Sequence, residues 1–154
     1  MPEKETLEAA RRDRAEGKSP TTQAGEFVRE EMHHVREGKH GARSTKQAIA
    51  IGLSKARRAG VPLKPPKKGK AKTRRAAARA YRAGQSGRKR KPSVKRARAV
   101  RGALRREGHR AATKKSLARQ ARSAARRRSS ASRSAAAKKA ARTRARRGRS
   151  TKRK

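Results

Sequence analysis

Arg74, Arg75 and Arg79, then Arg88, Lys89, Arg90 and Lys91, then Lys95, Arg96, Arg98, Arg101, Arg105 and Arg106, then Arg122, Arg126, Arg127, Arg128, Arg146, Arg147 and Arg149 lie in a stretch with one acid, Glu107. Lys46, Lys55, Arg57 and Arg58 add a secondary basic flank upstream. Clustered guanidinium and ammonium groups without carboxylates can neutralise a polyanion. Each phosphate contact releases counterions, so such binding is tight, salt-dependent and indifferent to base sequence. A solubilising surface seldom needs charge of this density, and the basic footprint points to nucleic acid. Arg outnumbers Lys by 32 to 19, which favours narrow minor grooves and architectural binding there.

Other chemistry does not converge. His33, His34, His40 and His109 could suggest a metal, but His33 and His34 are adjacent and point apart on a helix. With no Cys and no completing carboxylate set, they read as surface or phosphate-facing residues, and no metal or cofactor is expected. Ser129, Ser130, Ser132 and Ser134 lie among arginines. Phosphorylation there would cut the positive charge, although low-complexity spacing explains them as well. GRKRKP, Gly87 to Pro92, resembles an AT-hook but lacks its Gly-Arg-Pro centre. No Gly-rich phosphate loop, paired carboxylates or Ser-His-Asp set has a scaffold to hold it, so no catalytic residue and no small-molecule substrate is expected.

Charge divides the chain. Residues 1–37 hold nine of the ten acids, whereas residues 38–154 hold 44 Lys and Arg and one acid, for a net charge of +41 overall. Aromatic residues make up 1% of the chain. High charge with few large apolar groups marks a chain that cannot bury enough surface to fold throughout. The absence of Cys removes disulfides and thiolate chemistry. No apolar run approaches the roughly 20 residues of a membrane span. A cytoplasmic, nucleoid-associated protein is the expectation.

The elements that must position these cations are helical. Ser44 to Gly60 reads STKQAIAIGLSKARRAG. Ser44 and Gln47 fit a reciprocal capping box, Ile49, Leu53 and Ala56 follow at helical steps, and Gly60 with Pro62 is a stop signal. Upstream, Ser19-Pro20 fits a cap followed by Pro in the first turn. Phe27, Val28, Met32 and Val35 recur at three- and four-residue steps until Gly38. The GKHGAR connector is short and suits an αα-hairpin.

The expected fold class is all-α: a short helical hairpin plus a long, largely disordered or locally helical basic tail. Its segments are 1–18, a mixed acidic stretch with a free or frayed helix; 19–63, the hairpin; 64–92, a Pro/Lys/Gly-rich basic linker with a short helix; 93–128, basic Ala/Arg helices capped by Ser93; and 129–154, a low-complexity tail. The hairpin core would be Phe27, Val28, Met32, Val35, Ile49 and Leu53, with Val61 and Leu63 folding back. That list is short for some forty ordered residues, so homodimerisation through the hairpin is a further expectation. In the tail, Arg75 with Arg79, Arg101 with Arg105, Arg122 with Arg126 and Arg142 with Arg146 place like charges one turn apart. Each pair opposes the helix by a few tenths of a kcal/mol, a penalty that a polyanion would remove.

Phe27 to Gly60, FVREEMHHVREGKHGARSTKQAIAIGLSKARRAG, resembles a family of small bacterial proteins defined as a domain of unknown function. The resemblance rests on the Met-centred helix, the Gly/His/Lys turn and the Gln-Ala-Ile-Ala-Ile-Gly-Leu-Ser helix. It implies a bacterial origin and a compact helical unit, and carries no activity or site residues. The tail is similar in composition to linker-histone tails. The functional expectation is a non-enzymatic, sequence-tolerant, histone-like binder of duplex DNA. The alternatives are an RNA- or ribosome-associated basic protein, or a hairpin adaptor that recruits a partner to nucleic acid.

Overall fold

The computed structural model describes residues 2–86 and 93–151, with side chains through Ala145. Among these residues the chain is all-helical: α1 Lys4–Ala15, α2 Pro20–Arg36, α3 Thr45–Arg58, α4 Ala71–Gln85, α5 Val94–Arg105, a 3-10 turn at Arg110–Ala112, α6 Lys114–Arg126 and α7 Ser130–Thr151. They form two compact units, one ending at Leu117 and the other beginning at Ala118.

The hairpin forms where the sequence places it, and its caps explain why. Ser19 Oγ accepts from the Thr22 amide at 3.4 Å, with Pro20 in the first turn of α2. Ser44 Oγ accepts from the Gln47 amide at 3.2 Å. The return bond of the capping box goes one residue further back than expected, from the Arg43 amide to Gln47 Oε1 at 2.9 Å. Gly38 and Gly60 end α2 and α3 with φ of 75° and 91°, the left-handed cap that glycine adopts without strain. Gly52 sets the helix crossing. A Cβ there would lie 2.8 Å from Val28 Cα and 2.9 Å from the Phe27 carbonyl oxygen, so α2 and α3 touch backbone to backbone.

Two apolar clusters result. One joins Met32, Val35, Ala42 and Ala48 to Ala111 and Ala112, with Val28, Ile49 and Leu117 against it. The other joins Ala10, Ala24, Phe27, Ala56 and Val61, with Leu7, Leu53 and Leu63 against it. All six expected hairpin core residues are therefore in or against the clusters, and Val61 and Leu63 do fold back. Nine of the thirteen buried apolar residues are alanine. This decides how the helices meet, because such small side chains let backbones approach closely.

The fold is more than a hairpin with a disordered tail. The helix expected to be free, α1, packs on α2. Leu7 and Ala10 enter the second cluster, and the Glu3 amide donates to Glu30 Oε2 at 3.3 Å. The short helix expected in the linker is α4, and it docks on α3. It buries Ala77 and Ala80, while Gln85 Nε2 donates to the Gly60 carbonyl at 3.3 Å.

The segment after α5 returns to the hairpin. The Gly41 and Ala42 amides donate to the carbonyls of Leu104 and Gly108 at 2.9 and 3.0 Å. Thr45 Oγ1 donates to the Ala111 carbonyl at 2.6 Å, and Arg36 Nε to the Ala112 carbonyl at 2.9 Å. Only glycine fits at position 41, since a Cβ would overlap the Glu107 carbonyl. The core therefore draws on Ala111 and Ala112, well past residue 63.

The second unit is helical without a core. No residue from Ala118 to Ala145 is buried. Its helix ends are instead closed by polar contacts. Ser129 Oγ accepts from the Ser132 amide at 3.2 Å, capping α7. The Arg133 guanidinium donates to the carbonyls of Ala125 and Arg128 at 3.4 and 3.2 Å, tying the start of α7 to the turn that follows α6.

Candidate nucleic-acid interface

The alanines of α4 fix which way its cations face. Ala77 and Ala80 are buried, and Lys72, Arg75, Arg79 and Arg82 recur at three- and four-residue steps on the other side of the helix, all exposed. On a 3.6-residue period this is a single stripe opposite the packed face. The same spacing places Arg98, Arg101 and Arg105 on one side of α5, and Lys115, Arg119, Arg122 and Arg126 on one side of α6, again all exposed.

The sequence-predicted cations fall into clear groups. Arg74, Arg75, Arg79, Lys95, Arg96, Arg98, Arg101, Arg105, Arg106, Arg122, Arg126, Arg127 and Arg128 are exposed. Two of them make local bonds: Arg74 donates to the Lys67 carbonyl at 3.2 Å, and Arg128 to the Ser132 carbonyl and hydroxyl at 3.0 and 3.3 Å. Arg88, Lys89, Arg90 and Lys91, with the whole GRKRKP segment, lie outside the described residues. Arg146, Arg147 and Arg149 belong to α7, and their side chains are outside the described set.

The basic flank of α3 divides. Lys46 and Arg58 are exposed. Arg57 is turned inward, donating from Nε to the Leu63 carbonyl at 3.1 Å and from a terminal nitrogen to the Leu53 carbonyl at 3.4 Å. It clamps the returning 61–63 segment onto α3. Lys55 also points inward, 3.0 Å from Glu30 Oε1 and 2.7 Å from Glu31 Oε2. Burial alone would pull the Lys55 ammonium down, but Glu31 and Glu30 outweigh it and hold its pKa above the usual lysine value. Burial likewise pushes the Glu30 carboxyl up, and bonds from Lys55, Thr6 and the Glu3 amide outweigh that and bring it below the usual carboxylate value.

Beside this pair lies a constellation that sequence reasoning missed. One nitrogen each of His34 and His40 and one oxygen of Glu31 all lie within 4.8 Å of one another. The side chains of His34 and His40 are 12% and 15% exposed, so neither is the surface or phosphate-facing residue expected. His40 comes from the connector, and its ring lies edge-on to that of His34 with centroids 6.0 Å apart, while His33 stays exposed. His34 Nε2 is 2.8 Å from Glu3 Oε1, and His40 Nδ1 is 3.0 Å from the Gly41 carbonyl. The Glu31 carboxylate is fully buried. Lys55 Nζ and His40 Nε2 stand within ion-pair range of its two oxygens, at 2.7 and 3.1 Å. The available signal was Glu-x-x-His, since residues three apart share a helix face.

All ion pairs among the described residues fall between residues 3 and 55. From there on, the described cations have no carboxylate partner.

Residues 17–70 match a family of unknown function, DUF6496. The match spans about a third of the chain. It contains α2, α3, the connector with His40, and the buried Glu30–Glu31–Lys55 group. The helices α4, α5, α6 and α7 lie beyond it. No curated protein and no solved structure matches the chain. Among the described residues, no helix is long and apolar enough to cross a membrane.

Proposed function

We propose that the protein is a non-enzymatic, sequence-tolerant DNA-binding protein of the nucleoid-associated, histone-like kind, acting in the cytoplasm by phosphate neutralisation. The observation that carries this reading is the set of exposed cationic stripes on α4, α5 and α6, which have no carboxylate to answer them. Like charges one turn apart weaken each helix, and a duplex phosphate backbone turns that repulsion into attraction. Arg supplies most of these cations, which suits entry into a narrow minor groove. The scarcity of aromatic side chains disfavours single-strand stacking.

The test is a gel-shift titration of the full chain on duplex DNA across salt concentrations, with duplex RNA, single strands and heparin as competitors. Affinity should fall about 10³-fold or more between about 50 and 200 mM salt, and changing the duplex sequence should matter far less. A flat salt response overturns the reading. Preferential competition by duplex RNA would transfer it to RNA.

A further inference from the structure

We infer that Glu31, His34 and His40 form a binding site for a divalent transition-metal ion, with zinc the best match, and that the ion clamps the α2–α3 connector onto α2. The argument begins with proton positions. A carbonyl oxygen only accepts, so His40 Nδ1 must donate to Gly41. In the neutral ring, Nε2 then carries a lone pair, and it faces Glu31 Oε1 at 3.1 Å. Two acceptors facing each other in a buried site call for a cation between them.

A proton on Nε2 would answer that need as an imidazolium–carboxylate ion pair. A metal ion would answer it and engage His34 as well, and it requires a particular separation of the ligand atoms. Two ligand atoms at tetrahedral zinc, with bonds of about 2.0 Å, stand about 3.3 Å apart. The observed 3.1 Å is close to that spacing.

His34 supplies the third ligand. Its Nε2 hydrogen goes to the Glu3 carboxylate at 2.8 Å, leaving Nδ1 with the lone pair. Both histidines thus already make the outer bond that metal-ligating histidines make, one to a carboxylate and one to a backbone carbonyl. The donor set is two imidazoles and one carboxylate, a set that zinc accepts with a fourth position open to water. Lys55 keeps Glu31 Oε2 at 2.7 Å, so Oε1 is the oxygen left for the ion.

The clamp has a structural consequence. His40 immediately precedes Gly41 and Ala42, whose amides hold the 104–108 segment. Fixing His40 to α2 therefore fixes the surface on which the return from α5 docks. This holds whether or not the stripes bind DNA.

The experiment uses the full chain stripped of metal, titrated with zinc by calorimetry and with cobalt(II) by absorption. Expected are a single zinc equivalent, a higher melting temperature with zinc, and cobalt d–d bands of tetrahedral intensity. His34→Ala and His40→Ala should abolish the bands, whereas His33→Ala and His109→Ala should keep them. Glu3→Gln should weaken zinc binding about 10–100-fold, the usual cost of losing an outer partner. Failure of the wild-type chain to bind zinc overturns the inference, as does binding that survives both His34→Ala and His40→Ala. If either variant fails to fold by circular dichroism, Glu3→Gln decides, and unchanged zinc affinity there also overturns it.

Discussion

In the first unit Lys55 stands between Glu30 and Glu31, Lys18 between Asp13 and Glu16, and Lys39 between Glu3 and Glu37. From Ala118 onward the chain carries no acid at all, no residue through Ala145 is buried, and the helices end on serine and arginine contacts. Both regions are helical and densely charged, and they use charge differently. In the first, each of these cations is answered internally and helps hold helices together. In the second, no described cation meets a carboxylate, and apart from the local bonds of Arg128 and Arg133 these cations are left for something outside the chain. Net charge alone therefore misleads: Lys55 and Arg57 count toward +41 but offer nothing to a ligand.

The largest effect that would sharpen this contrast comes from replacing Lys72, Arg75, Arg79, Arg82, Lys115, Arg119, Arg122 and Arg126 by Gln. Loss of eight phosphate contacts should remove salt dependence worth about 10³–10⁵ between about 50 and 200 mM, read by gel shift. Helix content should remain. Undiminished affinity would mean that the stripes are not the interface.

Next in size is Lys55→Ala. Removing one partner of a fully buried charge pair costs about 3–5 kcal/mol. With Lys55 side-chain exposure at 23%, the loss should fall at or somewhat below the lower end of that range. Urea unfolding measures it. Affinity of the folded protein for DNA should be nearly unchanged, and a large loss of binding would break the contrast. Gly52→Ala should cost about 1–3 kcal/mol, the usual penalty for overpacking, because its Cβ meets backbone atoms of α2.

The smallest effect is with acid. Glu30 and Glu3 both have carboxyls held below the ordinary value of 4.5. A folded pKa below the unfolded one stabilises at higher pH, and the contribution is lost as pH falls through the folded value. The melting temperature of the first unit should therefore decline as pH drops below about 4.5. Residues from Ala118 on contain no carboxylate side chain and should show no such change in residue-resolved hydrogen exchange.

The helix caps, the α2–α3 pairing and the return of Val61 and Leu63 were legible because Ser, Gly, Pro and large apolar residues carry strong positional signals. The docking of α1, α4 and the 104–112 segment was not. Their contact residues are Ala10, Ala77, Ala80, Ala111 and Ala112, and alanine is as common on an exposed helix as in a packed one. Gly41 and Gly52 read as turn and helix glycines, and their role in backbone contact depends on partners distant in sequence. The histidine site was hidden for a related reason. Glu31 and His34 sit three apart, but His40 joins them only once the connector folds back. The charge of the tail was plain in composition, while its helical stripes depended on alanine spacing.

The alanine-built core has a calorimetric consequence. Heat capacity rises on unfolding in proportion to the apolar area exposed, about 0.45 cal/mol/K per Å². A methyl group contributes little such area. The first unit should therefore unfold with a heat-capacity increment below the common 12–15 cal/mol/K per residue, and its free energy should curve only gently with temperature. Cooling would take little stability from it, and heating would melt it over a broad range.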